Sequence, residues 1–273
     1  MGKNMITASI VAFHTNHRDL SRLLDCVMRS SIETLYIIDN STNDELRDFV
    51  KGNPRIQYIH SLNLGYGSGH NVAIKKSIEA NADYHAVLNP DIYWDGNVIE
   101  ELEHFMDATP GAGLAMPKII YPNGETQFLC KLLPTPMDLI GRRFIPVKSY
   151  QDKHDHNYEL HWTGYDKIME VPSLSGCFMF MRVSVLREIG GGFDERYFMY
   201  AEDLDLCRRI GEVSKTMFFP KVSVVHEYEK GSYKNKKLLK YHITSVIKYF
   251  NKWGWLFDSK RKEKNQYCIN SLK

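Results

Sequence analysis

Short runs of apolar, β-branched residues alternate with segments of helical periodicity along the first 90 residues, and this alternation restricts the fold more than any other feature of the chain. The predicted strands are residues 5–13, 34–39, 55–60 and 85–89, and the predicted helices between them are residues 17–30, 44–51 and 71–82. Strands that are apolar on both faces belong inside a parallel sheet covered by helices. The pattern therefore predicts an α/β fold with a doubly wound, mostly parallel central sheet.

The rhythm changes after residue 110, where prolines become frequent and irregular stretches grow longer. Residues 114–121 and 175–182 are candidate strands of a mixed α+β second half, which we expect to pack on the first half. Residues 132–167 are rich in His, Asp and Tyr and contain a Trp. We predict that this stretch forms a mobile loop or lid.

Length and composition limit the class of protein. A chain of 273 residues with 43% hydrophobic and 25% charged residues can bury the core of one sizeable α/β domain. It has no apolar run of about 18 to 20 residues, and its first thirty residues lack the order of a signal peptide. Five scattered cysteines without a CxxC pair disfavour a disulfide framework and a structural zinc site. We therefore expect a cytoplasmic protein with reduced thiols.

The C-terminal part of the chain is basic. Residues 230–264 hold eleven Lys or Arg and only two acidic residues, and a predicted helix at residues 236–251 carries an apolar stripe. Together with Trp253 and Trp255, this composition favours contact with an anionic membrane surface. A helix packed on the domain with a solvated basic face explains it equally well.

Acidic residues stand where two of the predicted parallel strands end. Asp39 closes the second strand, and Asp91 follows the fourth. Ligands of open α/β sheets bind beyond the carboxyl ends of the strands, so this pair predicts a polar site. Either residue alone is more often a helix cap or a turn residue.

Three glycines spaced by two residues follow the third strand, within residues 63–71. Such a segment before a helix brings backbone N–H groups close to phosphate. The spacing differs from GxGxxG, and the segment follows the third strand rather than the first. A nicotinamide or flavin cofactor is therefore disfavoured.

Glu202, Asp203 and Asp205 crowd the start of a predicted helix, directly after the aromatic run at residues 197–200. Acidic residues are common in a first helical turn because the helix dipole stabilises them. Apolar packing against the aromatic run also raises a carboxyl pKa and prepares it to act as a base. His226 ends a further predicted strand, and only the company of Asp91 would make it a metal ligand.

These segments, in this order, resemble the family 2 glycosyltransferases of the GT-A fold, particularly the rhamnosyltransferase-like branch that builds bacterial surface polysaccharides. The resemblance covers residues 5–232, and each matching segment is weakly specific alone but specific in this ordered combination. The matching segments are IVAFHTN at 10–16, IDNS at 38–41, NLGYGSGHN at 63–71, LNPD at 88–91, SGCF at 175–178, GFDE at 192–195 and YAEDLD at 200–205.

The resemblance implies a donor site on the first half of the chain, residues 1–110. It implies that Asp39 hydrogen-bonds the pyrimidine base of a dTDP- or UDP-sugar and that other residues line the nucleotide and sugar pocket. The implied lining residues are Phe13, Asn63, Gly65, Gly69, Asn71, Asn89 and Asp91.

The resemblance also implies a divalent cation, Mg or Mn, bridged to the donor diphosphate. Asp91 stands where the family has the last carboxylate of its DxD motif, and Asn89 replaces the first. One acidic ligand is therefore missing, and His226 is the candidate for a further ligand.

The second half, residues 111–232, is implied to bind the acceptor and perform catalysis with inversion. Asp203 is implied to be the general base, with Glu202 as the second candidate and Asp205 as structural support. Further residues are expected beside the acceptor, where Trp162 either stacks on a sugar or is an ordinary core or surface aromatic. The expected acceptor-side residues are Ser175, Gly176, Cys177 and Trp162.

The sequence thus predicts a GT-A domain at residues 1–232 and a basic amphipathic helix and tail at residues 233–273. It predicts transfer of a sugar, such as rhamnose, to a saccharide or lipid-linked saccharide at the inner face of the membrane, with no nucleic-acid partner. Two alternatives remain. A sugar-nucleotide pyrophosphorylase would carry a glycine-rich loop directly after the first strand, and it is disfavoured because residues 13–18 contain no glycine. A non-catalytic carbohydrate- or nucleotide-binding module would differ from the transferase in having no turnover.

Overall fold

The computed structural model describes residues 3–139, 141, 148–227 and 236–273. Its strands are β1 (Ile6–Ala12), β2 (Thr34–Asp39), β3 (Ile56–His60), β4 (Tyr84–Leu88), β5 (Ile92–Tyr93), β6 (Ala112–Ile120), β7 (Met169–Glu170), β8 (Phe178–Arg182) and β9 (Lys215–His226). Its helices are α1 (His17–Arg29), α2 (Leu46–Val50), α3 (Tyr66–Glu79), α4 (Val98–Ala108), α5 (Pro136–Leu139), α6 (Lys148–Tyr158), α7 (Val183–Glu188), α8 (Glu202–Ile210), α9 (Lys236–Trp253) and α10 (Ser259–Leu272).

The nine strands form one mixed sheet in the order β3-β2-β1-β4-β8-β6-β9-β5, with β7 paired to β9. The first four strands are all parallel, as the strand-helix alternation predicts. Strand β8 enters antiparallel between β4 and β6, and β6 and β9 are parallel to each other. The parallel half thus carries the strand ends on which the predicted site depends.

Helix α1 shows how the local sequence produces this packing. It begins after Asn16, whose side chain accepts a hydrogen bond from the Arg18 backbone N–H and so caps the helix. Leu20, Leu23 and Val27 follow at helical spacing and are fully buried against the sheet. The main core therefore lies between the sheet and its helices.

Helix α3 begins at Tyr66, five residues earlier than the sequence predicts, so the glycine-rich segment is helical rather than a turn. A Cβ on Gly67 would lie 2.7 Å from the Phe193 Cβ, and one on Gly69 would lie 2.7 Å from a Val11 methyl. These glycines therefore allow close packing of α3. Gly65 precedes the helix with φ +114°, a conformation that favours glycine.

The prediction of a mobile loop at residues 132–167 is wrong for most of the residues of this stretch that the structure describes. Helices α5 and α6 lie within it, and the Tyr165 side chain is buried. The Tyr165 hydroxyl donates to the Cys130 carbonyl and accepts from the Cys130 backbone N–H, so the stretch is tied to the core. Aromatic anchoring of this kind is invisible to a polarity-based prediction.

The C-terminal part forms two helices, where the sequence predicts one helix and a tail. Helix α9 packs Val246, Tyr249 and Phe250 into a second apolar cluster with Tyr197 and Leu204 of the domain. Residues 228–235, which hold part of the predicted basic segment and the predicted domain boundary, lie outside the described residues. Among the residues that are described, no helix is long and apolar enough to cross a membrane.

Candidate active site

Asp91, Asn89 and His226 meet at the edge of the sheet. Asn89 and Asp91 follow β4, and His226 is the last residue of β9, whose register places it opposite Ile92. The His226 Nε2 atom lies 3.5 Å from Asp91 Oδ1 and 3.4 Å from the Asn89 amide nitrogen. The two predicted metal ligands are therefore brought together.

Gln127, a residue that the sequence did not single out, fixes the His226 ring. Its Oε1 lies 3.0 Å from His226 Nδ1, and its amide nitrogen donates to the His226 carbonyl at 2.8 Å. These bonds assign a proton to Nδ1 and direct Nε2 toward Asp91. Burial would lower the pKa of His226, but hydrogen bonding to Asp91 and Cys177 outweighs it and raises the pKa to about 10. A cation that binds at Nε2 would therefore have to displace a proton.

The chemistry of this pair fits a divalent cation. Asp91 Oδ1 is buried and lies 3.5 Å from the His226 Nε2 atom. Magnesium and manganese favour carboxylate, phosphate and water oxygens, so Asp91 fits either ion, and His226 would add a nitrogen ligand on losing its proton. Within the described part of the chain, no group of three or more His, Cys, Asp or Glu is arranged to hold a metal. A cation here would therefore take its remaining ligands from a bound diphosphate and water.

Asp39 lies at the end of β2 and is completely buried. One oxygen accepts the Ser41 backbone N–H at 2.9 Å, and the other accepts the Tyr58 hydroxyl at 2.7 Å. Burial and this bond raise the pKa of Tyr58, which therefore stays protonated. Phe13 and Leu62 follow the neighbouring strands at the same edge and are exposed, at 54% and 82%.

Two of the predicted pocket residues, Asn63 and Asn71, hydrogen-bond to backbone groups. The Asn71 amide donates to the Phe193 carbonyl at 2.8 Å and accepts from the Phe193 backbone N–H at 2.7 Å, which ties α3 to the segment before the acidic pair. Asn63 Oδ1 accepts the Gly65 N–H at 3.2 Å. Both residues shape the segment from which α3 starts.

Tyr66 connects the strand-end cluster to the turn before β8. Its hydroxyl lies 2.9 Å from Asn89 Oδ1 and 2.8 Å from the Gly176 carbonyl oxygen. The sequence does not single out Tyr66, because a glycine-rich segment is typical of a turn. Had the segment been predicted as a buried helix, a tyrosine in its first turn would have indicated a side chain with a functional contact.

The turn formed by Ser175, Gly176 and Cys177 lies between Asn89, beside the Asp91–His226 pair, and the acidic pair. The Gly176 N–H donates to Asp203 Oδ2 at 2.9 Å, and the Cys177 carbonyl accepts the Asn89 N–H at 2.9 Å. Cys177 is buried, while Ser175 is partly exposed. Trp162 is partly buried and packs against the main core.

The adjacent carboxyls of Glu202 and Asp203 have different surroundings. Glu202 is buried with Oε2 unpaired, and burial together with the neighbouring Asp203 raises its pKa well above the usual value. Asp203 is partly exposed and accepts N–H groups from Gly176 and Leu204. These bonds fix the orientation of the Asp203 side chain, while Glu202 is the member of the pair that keeps a proton.

The backbone that leads into this pair is strained. Tyr200 and Ala201 have φ values of +70° and +63°, and Ala201 is the cap residue before α8. Left-handed conformations at non-glycine residues cost on the order of 1 to 3 kcal/mol each and concentrate at functional sites. The strain therefore marks the acidic pair as a site whose geometry is maintained by surrounding contacts.

The class of this protein is shown by comparison with known families. A family model described as Glycosyl transferase family 2 matches residues 9–190, which is more than half of the chain. The chain therefore belongs to glycosyl transferase family 2. The match ends before Glu202, Asp203 and His226.

Relatives of known activity point to the rhamnosyltransferase-like branch. The chain is 28% identical over 215 residues to the N-acetylglucosaminyl-diphospho-decaprenol L-rhamnosyltransferase of Mycobacterium tuberculosis, covering 71% of this chain and 66% of that protein. It is 28% identical over 202 residues to the low-salt glycan biosynthesis hexosyltransferase Agl10 of Haloferax volcanii, covering 73% and 60%. It is 22% identical over 253 residues to the rhamnosyltransferase WbbL of Escherichia coli, covering 88% and 90%. The match therefore spans less than two thirds of the first two relatives.

Solved structures confirm the predicted GT-A fold. The structure of GalNAc-T7 with UDP, GalNAc and Mn²⁺ superposes with a TM-score of 0.63 at 15% identity, covering 83% of this chain and 43% of that chain. The mannosyltransferase PcManGT from Pyrobaculum calidifontis, in complex with GDP-Man and Mn²⁺, gives a TM-score of 0.57 at 14% identity, covering 90% and 65%. At these identities the likeness shows the fold alone.

Proposed function

We propose that the chain is an inverting, metal-dependent glycosyltransferase that moves a sugar, such as rhamnose, from a dTDP- or UDP-sugar to a saccharide or lipid-linked saccharide in cell-surface polysaccharide synthesis. The observation that carries this proposal is the turn at residues 175–177, which connects the Asp91–His226 pair to the Glu202–Asp203 pair. The residues proposed to act on the departing diphosphate and those proposed to act on the acceptor hydroxyl are therefore linked through one short turn.

The nucleotide binds at the carboxyl ends of β1, β2 and β3. The base lies against exposed Phe13 and the loop that follows β3, and Asp39 contacts it through lone pairs that its bonds to Ser41 and Tyr58 leave available. Because Asp39 is fully buried, its contact with the base requires a small displacement of the residues around it.

Asp91 and His226 would hold Mg or Mn, and the cation would offset the charge that builds on the departing diphosphate. Gln127 keeps the His226 ring oriented, and Tyr66 orients the Asn89 side chain beside it. Asn89 is a neutral neighbour in place of a carboxylate, so the site depends on Asp91 for its negative charge.

Asp203 is the general base. Its carboxylate takes the proton from the acceptor hydroxyl while that oxygen attacks the anomeric carbon, the bond to the diphosphate oxygen breaks, and the configuration inverts. The Gly176 N–H holds the Asp203 carboxylate in place. Glu202, which keeps its proton because of burial, does not compete for the acceptor proton.

The exposed face of the C-terminal helices lies against an anionic membrane at the cytoplasmic side, where a lipid-linked acceptor would be presented. Helix α9 contains five lysines and no acidic residue. Ile243 and Ile247 on its outer side are exposed, as are Leu256 and Phe257 after it. Basic and apolar groups on one surface are suited to anionic lipid headgroups and the acyl boundary.

The proposal is tested by incubating purified protein with a panel of nucleotide sugars and candidate saccharide acceptors, with Mg, Mn or chelator. We expect release of nucleoside diphosphate from a dTDP- or UDP-sugar only when the cation is present. Binding without release would favour a non-catalytic module, and consumption of pyrophosphate would favour a pyrophosphorylase. Equal turnover in chelator would remove the role given to Asp91 and His226.

A further inference from the structure

Helix α9 contacts the segment that leads into the acidic pair along most of its length. Its side chains at spacings of three and four residues present three donors on one face. The donors are Ser245 Oγ to the Met199 carbonyl at 2.8 Å, Lys248 Nζ to the Arg196 carbonyl at 2.6 Å, and Lys252 Nζ to Asp194 Oδ2 at 2.7 Å. This face of α9 therefore holds residues 194–199.

The same face ends on the carboxylate of Asp205, which is completely buried. Lys252 Nζ lies 2.7 Å from Asp205 Oδ1, the Trp253 indole N–H donates to the same oxygen at 2.8 Å, and Arg209 Nε donates to Oδ2 at 2.8 Å. Removing a cationic partner from a buried carboxylate leaves its desolvation uncompensated. Because Asp205 lies in the first turn of α8, two residues after Asp203, its partners also fix the start of that helix.

The strained turn at Tyr200 and Ala201 lies between these two sets of contacts. Left-handed φ values at successive non-glycine residues persist only where the surroundings over-determine them. On one side α9 holds the backbone of residues 194–199, and on the other side it holds Asp205. The apolar cluster that joins Tyr197 and Leu204 to α9 closes the same region.

We propose that Lys252 and Trp253 are positioning residues for the transfer reaction. By holding the Asp205 carboxylate, they keep the turn at residues 200–201 in its strained form and the Asp203 carboxylate at the place where the acceptor hydroxyl arrives. The proposal rests on the proposed function, because it takes Asp203 as the base. Both residues lie beyond the part of the chain that the family model matches.

The test compares kcat and KM for nucleoside diphosphate release among the wild type, Lys252→Met, Lys252→Arg and Trp253→Phe. We expect Lys252→Met to lower kcat by about tenfold to a hundredfold while the donor KM changes by less than about twofold, because a displaced base affects the chemical step and not donor binding. Lys252→Arg should restore most of the lost kcat, since it keeps the charge and the donors. Trp253→Phe should show a smaller loss of the same kind.

The matched control is Lys215→Met, which removes an exposed lysine that pairs with Glu170 at 3.0 Å on another part of the sheet. It should keep the wild-type kcat. A similar loss in both methionine variants would indicate general destabilisation and would overturn the proposal, as would a raised KM with unchanged kcat. If Lys252→Met fails to fold, Trp253→Phe decides, and wild-type kcat in that variant overturns the proposal.

Failure of this inference is distinguishable from failure of the proposed function. Wild-type kcat in Lys252→Met, with Asp203→Asn inactive, removes the positioning role and leaves the base in place. Full activity in Asp203→Asn removes the base itself.

Discussion

Glu202 and Asp203 are neighbours in sequence, yet one is buried with an unpaired oxygen and the other is partly exposed and hydrogen-bonded. The difference arises because the first helical turn of α8 directs successive side chains about 100° apart, one into the core and one toward the turn at residues 175–177. Burial and the neighbouring Asp203 raise the pKa of Glu202 well above its usual value, so Glu202 keeps its proton. The more accessible Asp203 carboxyl is therefore the candidate base.

Asp203→Asn should lower kcat by about a hundredfold or more, because loss of a general base typically costs 10²- to 10⁴-fold. The amide still accepts the Gly176 N–H, so the fold and donor binding should be retained. Steady-state kinetics with a thermal unfolding scan check both statements. Glu170→Gln, which removes a charge from the Glu170–Lys215 pair on another part of the sheet, measures how much of the loss reflects general perturbation.

Glu202→Gln should make stability less dependent on pH. The folded chain binds the Glu202 proton more tightly than the unfolded chain, so the unfolded state loses that proton first as pH rises from the usual value of 4.5. The free energy of unfolding of the wild type therefore falls above that pH. The melting temperature of the variant should exceed that of the wild type at about pH 8 and equal it near pH 4. Each kcal/mol of difference in the free energy of unfolding should shift the melting temperature by roughly 2 to 4 °C. A constant difference at both pH values would contradict the assignment.

The residues of the site were predictable where they stood at strand ends or in a recognisable order, as for Asp91 and His226. Gln127 and Lys252 were not, because they act on residues that lie 99 and 47 positions away in sequence. A polar side chain on an irregular stretch has no local periodicity that reveals its partner. The three-dimensional fold brings Gln127 to the end of β9 and Lys252 of α9 to the start of α8.

At the scale of elements, α3 shows how packing overrides a turn-like composition. The three glycines of residues 63–71 are typical of a phosphate-binding turn. Gly67 and Gly69 instead lie within α3, where neighbouring side chains approach too closely for a Cβ. The helix lies over β1 and against the segment before α8, so it connects the donor half of the molecule to the acidic pair.

Gly67→Ala should therefore destabilise the protein by about 1 to 3 kcal/mol, because its Cβ would lie 2.7 Å from the Phe193 Cβ. Gly111→Ala is the matched control, since the nearest atom to its Cβ is 3.9 Å away. Denaturant unfolding of both variants measures the difference. Equal stability would mean that Phe193 moves aside at no cost and that the close approach is not required.

The first four strands were predictable because each is a short apolar run followed by a helix, and the short helical connections allow only parallel neighbours. The second half was not, because β8 inserts between β4 and β6 and β9 crosses to pair with β5, β6 and β7. Pairings of that sequence separation depend on the three-dimensional fit of the sheet. The second C-terminal helix was missed because its polar sequence has little apolar periodicity.

At the scale of the whole molecule, the C-terminal helices join two surfaces. The inner face of α9 packs on the segment that leads into the acidic pair, and its outer face carries Lys236, Lys240, Ile243 and Ile247 in exposed positions. The loop between the helices exposes Phe257 at 95%. The two alternatives left open by the sequence, packing and membrane contact, are therefore compatible because they use opposite faces.

Replacement of Leu256 and Phe257 by serine should reduce retention on vesicles of anionic lipid by about tenfold, since each side chain contributes roughly 1.5 to 3 kcal/mol when fully buried and less when partly inserted. Phe49→Ser, which removes an exposed aromatic from α2, should leave retention unchanged. Flotation at low and high salt measures the effect, and salt should weaken binding of the wild type. Equal recovery with neutral vesicles would contradict membrane contact through basic residues.

The most direct measurement is nucleoside diphosphate release by the wild type and Asp203→Asn side by side, with the nucleotide sugar that the panel identifies, its acceptor and Mn. We expect the wild type to release nucleoside diphosphate only when the cation is present. We expect Asp203→Asn to lose about a hundredfold or more in kcat with little change in the donor KM. Undiminished turnover in the variant, or release that proceeds equally in chelator, would contradict the account of the site.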